Sequence, residues 1–341
     1  MDTVRWGMIG CGEVAEVKSG PALQKAHGSA LVAVMRRDRA KAEDYARRHN
    51  VPRVHARADD LIQDPGIDAV YIATPPSSHC ELALTVAAAG KPCLVEKPMA
   101  VNHAECMRMV EAFRAAQRPL WVAYYRRALP RFLKVRELLR AGAIGQLTSL
   151  HVKVTDPLAT GEAAKAWRFN TEISGAGLFL DLASHYFDII DFVAGPITAA
   201  AGFALNTGGS YAAEDVTATA FQIGDKVAGT GVWNFNAPAS ADSIVFTGSA
   251  GEIATAVRAD EDVGVTRGPS TGLGAGGQPN LYRFRNPPHV HQPLIQTIVD
   301  ELLGKGKCES TGESGARSAW VTDRCLTTYY GSNEERKSNN E

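Results

Sequence analysis

Val4-Arg5-Trp6-Gly7-Met8-Ile9-Gly10-Cys11-Gly12-Glu13-Val14-Ala15 is the stretch on which the reading of this chain turns. Residues 4–9 have the apolar content of a buried strand, and two glycines one residue apart follow where a helix should open. The first glycine allows a tight turn and the second lets a pyrophosphate reach the backbone, while the third position, here Ala15, must be small for helix and strand to pack. The free N–H groups of the helix start, around Glu13 and Val14, then face the phosphates. The segment reads as a dinucleotide-binding turn, against the plainer alternative of a glycine turn serving some other ligand.

Working outward, strand-like runs at 30–35, 69–73, 93–95 and 120–123 alternate with helical runs at 14–26 (interrupted near Gly20-Pro21), 39–49, 79–89 and 103–116. That alternation predicts a parallel sheet covered by helices, an α/β Rossmann domain over residues 1–122. The pattern then changes. After a helix at 131–141, period-two alternation appears at 147–155, 215–222, 226–235, 243–248 and 252–257. Further helices are expected at 177–193, 292–303 and 312–329, the last capped by Ser310-Thr311. Residues 123–330 are thus predicted to form an α+β domain with an open, mostly antiparallel sheet for substrate binding and oligomerisation. The run 268–280, with five glycines, is expected to be a mobile loop, and 331–341 a frayed polar tail.

Length and composition agree with two domains. The 341 residues exceed what one core usually organises, and 45% hydrophobic residues suffice to fill two. The 36 basic and 37 acidic residues leave a net charge of -1, which gives no pull toward nucleic acid or a membrane surface and favours a small-molecule partner. Six cysteines are scattered without a CxxC pair, and the start leads into no signal-type stretch, so reduced thiols in the cytoplasm are expected. No apolar run approaches the ~20 residues of a membrane helix.

Several side chains stand where an open α/β sheet binds ligands, at the carboxyl ends of its strands. The second strand ends in Arg36-Arg37-Asp38. An acid at this place would take the ribose 2′-hydroxyl of NAD, whereas guanidinium groups pair with the 2′-phosphate of NADP(H). NADP(H) is therefore favoured, with NAD(H) as the alternative in which Asp38 is the ribose ligand. Thr74, Pro75 and Pro76 form a stiff wall for a ring or ribose, with His79 at the start of the following helix tying that loop down. Glu96-Lys97-Pro98 closes the run 93–95 and delivers a lysine that can donate to a reacting oxygen beside a bound nicotinamide.

In the second half, Gly175-Ala176-Gly177 precedes Asp181 and His185, whose i, i+4 spacing stacks an acid and an imidazole on one helical face. Histidine is the side chain suited to proton exchange near neutral pH. Asp188 continues that face, so a metal held with His289 and His291 is an alternative; without an HExxH or comparable pattern, no metal is expected. Tyr124, Tyr125, Arg126, Trp167 and Arg168 supply aromatic faces and donors for a polyhydroxylated ring, or equally form a domain seam.

These motifs together resemble the Gfo/Idh/MocA family, of glucose-fructose oxidoreductase and inositol dehydrogenase type, over nearly the whole chain. The glycine loop is Gly10, Gly12 and Ala15; the Glu-Lys-Pro motif is Glu96-Lys97-Pro98; the glycine-rich segment with acid and histidine is Gly175 to Gly177 with Asp181 and His185. Arg127 and Pro130 match an arginine three before a proline, and Trp167-Arg168 a Trp-Arg pair near the nicotinamide. Alanine replaces a glycine in two of these motifs, at 15 and 176, and both substitutions are small. The resemblance implies a Lys97, Asp181, His185 site acting on a sugar, polyol or related cyclic alcohol or ketone. Glu96 either contacts the cofactor or holds Lys97, its carboxylate expected to stay ionised. Competing readings are a hydrolase or lyase using transient oxidation and a non-catalytic NADP(H) sensor. An open sheet with one bare face implies a homodimer or homotetramer.

Overall fold

The computed structural model describes residues 2–268 and 278–331. Most of the glycine-rich run and the tail beyond Gly331, expected to be mobile and frayed, lie outside the described residues. The chain divides into two compact units. One comprises the residues up to Leu129 together with Pro287–Ala316, and the other Pro130–Asn286 with the chain from Arg317 on.

Six parallel strands form the sheet of the first unit: β1 (Val4–Ile9), β2 (Ser29–Met35), β3 (Arg53–His55), β4 (Ala69–Ile72), β5 (Cys93–Val95) and β6 (Leu120–Val122). Their order is β3-β2-β1-β4-β5-β6. β4 and β5 are buried at every residue, the mark of strands covered on both faces. The helix Arg39–Arg48 begins where the Asp38 carboxylate accepts the Lys41 N–H, and His103–Ala115 where the Asn102 side chain accepts that of Glu105. Neither β3 nor the helix Ala58–Gln63 is evident in the sequence pattern, because β3 is a three-residue edge strand carrying Arg53 and His55. Both of those side chains turn to Asp64.

The sequence pattern assigns 123–330 to a single second domain, but the segment Pro287–Ala316 belongs to the first unit. It is stitched there by polar contacts that no periodicity announces. Gln296 exchanges hydrogen bonds with the His27 backbone, Trp121 Nε1 donates to Glu301 Oε2 at 3.1 Å, and the Val122 N–H donates to the Ser310 carbonyl at 3.0 Å.

The second unit is built on an eight-stranded sheet: β7 (Leu147–Thr155), β8 (Ile197–Leu205), β9 (Val216–Ile223), β10 (Val227–Asn234), β11 (Ala241–Gly248), β12 (Gly251–Thr255), β13 (Val263–Arg267) and β14 (Asn280–Tyr282). The order is β14-β13-β12-β11-β7-β10-β9-β8, antiparallel throughout except for the β7–β10 pair. On β9, Thr217, Thr219, Phe221 and Ile223 are buried while Ala218, Ala220 and Gln222 are exposed, so one face packs and the other is bare. β8, β13 and β14 are absent from the sequence reading. β8 is rich in alanine, which carries little strand preference, and the other two are short.

The long helix Leu178–Ala194 lies on the covered face. Trp233 of β10, fully buried, meets Phe179, Tyr186 and Phe187 at ring separations of 5.1, 5.8 and 5.5 Å. Each such aromatic pair adds about 0.5–1.5 kcal/mol beyond area burial. This cluster sets the rotation of the helix, and with it the face that carries Asp181 and His185.

Candidate active site

Strand order reverses between β1 and β4, and in open α/β sheets ligands bind beyond the carboxyl ends at that point. β1 runs directly into Gly10, whose φ of 96° is left-handed. A Cβ there would stand 2.8 Å from both atoms of the Ala73 carbonyl, so this glycine is fixed by the chain itself. Gly12 is different: a Cβ built on it meets nothing within 4 Å. Packing does not demand that glycine, and the open space above it fits an approaching pyrophosphate. Ala15 is fully buried, which accounts for a small residue at the third position. Glu13 is exposed and Val14 partly so, at the mouth of the turn.

From the end of β2, Arg36 reaches back to this loop, and its Nη1 donates to the Cys11 carbonyl at 3.0 Å. Arg37 is exposed. Asp38 is occupied as the helix cap: its Oδ1 accepts the Lys41 N–H at 3.2 Å and its Oδ2 lies 3.4 Å from Lys41 Nζ, contacts that hold its carboxyl below the ordinary value.

Beyond β4, the Ser78 hydroxyl donates to Thr74 Oγ1 at 2.7 Å and to the Pro75 carbonyl at 3.0 Å, bracing the loop of Thr74, Pro75 and Pro76. His79 sits between this loop and the next strand end. It is fully buried, with Nε2 2.7 Å from the Thr74 carbonyl and Nδ1 3.1 Å from that of Pro98. Lying between these two carbonyls, the His79 ring ties the Thr74 loop to the Glu96-Lys97-Pro98 turn.

Glu96 is 7% exposed. Its Oε1 accepts the Tyr71 hydroxyl at 2.5 Å and its Oε2 the Lys97 N–H at 3.1 Å. Burial pushes its carboxyl above the ordinary value, opposed by Tyr71 and then by Lys97; the expectation drawn from the neighbouring ammonium alone neglected the desolvation. His291, not singled out as a site residue except as a metal ligand, stands 3.8 Å from Glu96 Oε1 and stacks on Tyr125 with centroids 4.6 Å apart. Arg126 lies over the same tyrosine at 4.7 Å. Among the described residues no three His, Cys, Asp or Glu side chains converge as a metal site.

In the second unit, Arg168 connects two of the expected residues, its guanidinium 4.7 Å from the Trp167 ring and its Nε 3.3 Å from Asp181 Oδ2. Asp181 and His185 occupy successive turns of Leu178–Ala194, with His185 and Asp188 buried.

What holds the glycine segment before this helix is a residue the sequence reading missed. Glu214, fully buried, accepts the Gly177 N–H at 3.0 Å to each oxygen and the Tyr330 hydroxyl at Oε2. A Cβ on Gly177 would come within 2.8 Å of Glu214, so the glycine is required by the carboxylate. Beside Asp215 at the start of a strand, Glu214 reads in sequence as a solvated acid, and only its burial reveals the role.

Burial pushes the Glu214 carboxyl up to about 7, against the Tyr330 and Gly177 hydrogen bonds that favour its ionised form. Between the ordinary 4.5 and that value the folded state binds more protons than the unfolded one, so stability falls as pH rises through this window. At about 1.4 kcal/mol per unit, the fall reaches about 3 kcal/mol. Glu214→Gln, neutral throughout, is expected to remove this component while His79 and His291, whose titration acts in the opposite sense, remain. Urea midpoints of both proteins across this pH range check it, and parallel pH profiles would refute the assignment.

Comparison with known proteins places the chain. Residues 4–124 match the oxidoreductase family with an NAD-binding Rossmann fold, and residues 132–254 match the C-terminal domain of the same Gfo/Idh/MocA family. An oxidoreductase of Formosa agariphila is 37% identical over 325 residues, which span 94% of this chain and 97% of the relative. The chain belongs to the Gfo/Idh/MocA family and is a dehydrogenase or reductase. Inositol 2-dehydrogenase 2 of Saccharopolyspora erythraea is 36% identical over 150 residues, 44% of each chain. The structure of levoglucosan dehydrogenase in complex with NADH and levoglucosan shares the fold, with a TM-score of 0.84 at 20% identity over 96% of this chain and 97% of the other. Among the described residues no helix is long and apolar enough to cross a membrane.

Proposed function

We propose that this dehydrogenase moves a hydride between NADP(H), with NAD(H) as the alternative, and a sugar, polyol or related cyclic alcohol or its ketone. The observation that carries the cofactor reading is Arg36, a guanidinium laid along the glycine loop while Asp38, the acid that would select NAD, caps a helix. The substrate class draws on two relatives named for inositol and levoglucosan, both polyhydroxylated rings.

When bound, the nicotinamide supplies the hydride acceptor or donor. In the oxidative direction His185 takes the hydroxyl proton of the substrate, and Asp181 orients the imidazole or the substrate. Lys97 donates a hydrogen bond to the oxygen on which charge develops. Tyr125, Arg126, Trp167 and Arg168 bind hydroxyl groups or their ring faces; the cofactor is further bounded by Gly10, Gly12, Thr74 and Pro75. A panel of sugars, inositols and their keto forms, assayed with NADP(H) and NAD(H) by the absorbance of the reduced nucleotide, tests the proposal. Turnover with none of them would overturn the substrate class.

The assembly proposed is a homodimer or homotetramer in which the bare sheet face is covered by a second copy. Phe203 is 73% and Leu205 56% exposed on β8, flanked by Ala218 and Ala220 of β9, small residues that permit close approach. Phe203→Asp is expected to lower the assembly size in light scattering at equal concentration; an unchanged mass would count against this face. Six buried thiols without a disulfide favour the cytoplasm as the compartment.

A further inference from the structure

We infer that Tyr71, Glu96 and His291 form a buried positioning unit that holds the main chain at Lys97. The inference rests on the role proposed for Lys97. The ladder between β4 and β5 ends where the Glu96 N–H donates to the Ile72 carbonyl at 2.8 Å. Lys97 is the first residue past that last rung, where a strand end frays unless its polar groups are taken up. Its N–H is taken up by the side chain of its own neighbour, at Glu96 Oε2.

A side chain can steer a backbone only if it is itself held. Glu96 is buried, and the hydroxyl of the fully buried Tyr71 pins its other oxygen at 2.5 Å. Tyr71 lies on β4, the strand next to β5, so the anchor is fixed in the centre of the sheet. His291 closes the remaining side, 3.8 Å from the same Oε1 and stacked on Tyr125. The charged groups that act on this pair are Lys97 and Lys18 on Glu96, and Lys18, Arg126 and Lys97 on His291. Burial, reinforced by those cations, holds His291 down to about 3. It is therefore neutral at physiological pH and acts as a wall, leaving Tyr71 as the hydrogen-bond donor.

The geometry separates this role from that of a cofactor ligand. An anchor for the Lys97 N–H needs an acceptor but no charge, so Glu96→Gln should preserve it and Glu96→Ala should not. Amide hydrogen exchange at Lys97 reads the anchor without any substrate. In Glu96→Ala and in Tyr71→Phe, which keeps the buried ring, exchange at this amide is expected to rise by about tenfold or more, while Glu96→Gln stays near wild type. With a panel substrate that supports turnover, kcat should fall in the same order while NADPH affinity is unchanged.

Wild-type exchange at Lys97 in both Tyr71→Phe and Glu96→Ala would overturn the inference. So would an NADPH affinity lost equally in Glu96→Gln and Glu96→Ala, which would mark Glu96 as a nucleotide ligand. Failure of the underlying role is distinguishable, because Lys97→Ala would then keep full turnover whatever the exchange rates show.

Discussion

Lys97→Ala and His185→Ala are each expected to lower turnover by about two to four orders of magnitude, the range typical of a removed proton-transfer group or oxyanion donor. Affinity for the nucleotide should change little, since the loop proposed to cradle it is built from Gly10, packed against Ala73, and Gly12, with open space above it. The two losses have different origins. Removing His185 deletes the group proposed to take the hydroxyl proton, so kcat should fall more than KM changes. Removing Lys97 deletes the donor to the oxygen on which charge develops and should lower kcat. His185 is buried, so His185→Ala should also cost some stability, which thermal unfolding separates from the loss of turnover. Full turnover in either would contradict the assigned roles.

The second large effect concerns the nucleotide. Arg36→Ala is expected to weaken NADP(H) by about ten- to a hundredfold relative to NAD(H), as a charge-assisted hydrogen bond to phosphate is worth about 1.5–3 kcal/mol. Because Arg36 also donates to the Cys11 carbonyl, a loss of loop order would weaken both nucleotides equally. The ratio of the two affinities, by fluorescence titration, separates these outcomes. A preference for NAD(H) in the wild type would return the ribose contact to Asp38, at the expense of its helix cap.

What the sequence makes legible here is what local chemistry dictates. Gly10 is readable because no other residue tolerates both its φ and its approach to Ala73, and the helix bearing Asp181 and His185 because its apolar residues recur at helical spacing.

Other features escape because they depend on partners far away in the chain. Glu214 gains its role from Gly177 and Tyr330, and its neighbour Asp215 offers the same local signal. The return of Pro287–Ala316 to the first unit rests on single polar contacts to His27, Trp121 and Val122. β8 hides because alanine on a bare face shows neither the composition nor the contrast of a strand.

The central claim is that this protein moves a hydride from a carbinol carbon to a nicotinamide and releases the products of that transfer. A panel substrate deuterated at that carbon tests it most directly, with the label followed by mass spectrometry of the nucleotide. Deuterium accumulating in NADPH, in step with ketone formation, is the expected result. Product formed with the nucleotide left oxidised and unlabelled would contradict it, and would identify a hydrolase or lyase that oxidises its substrate only in passing.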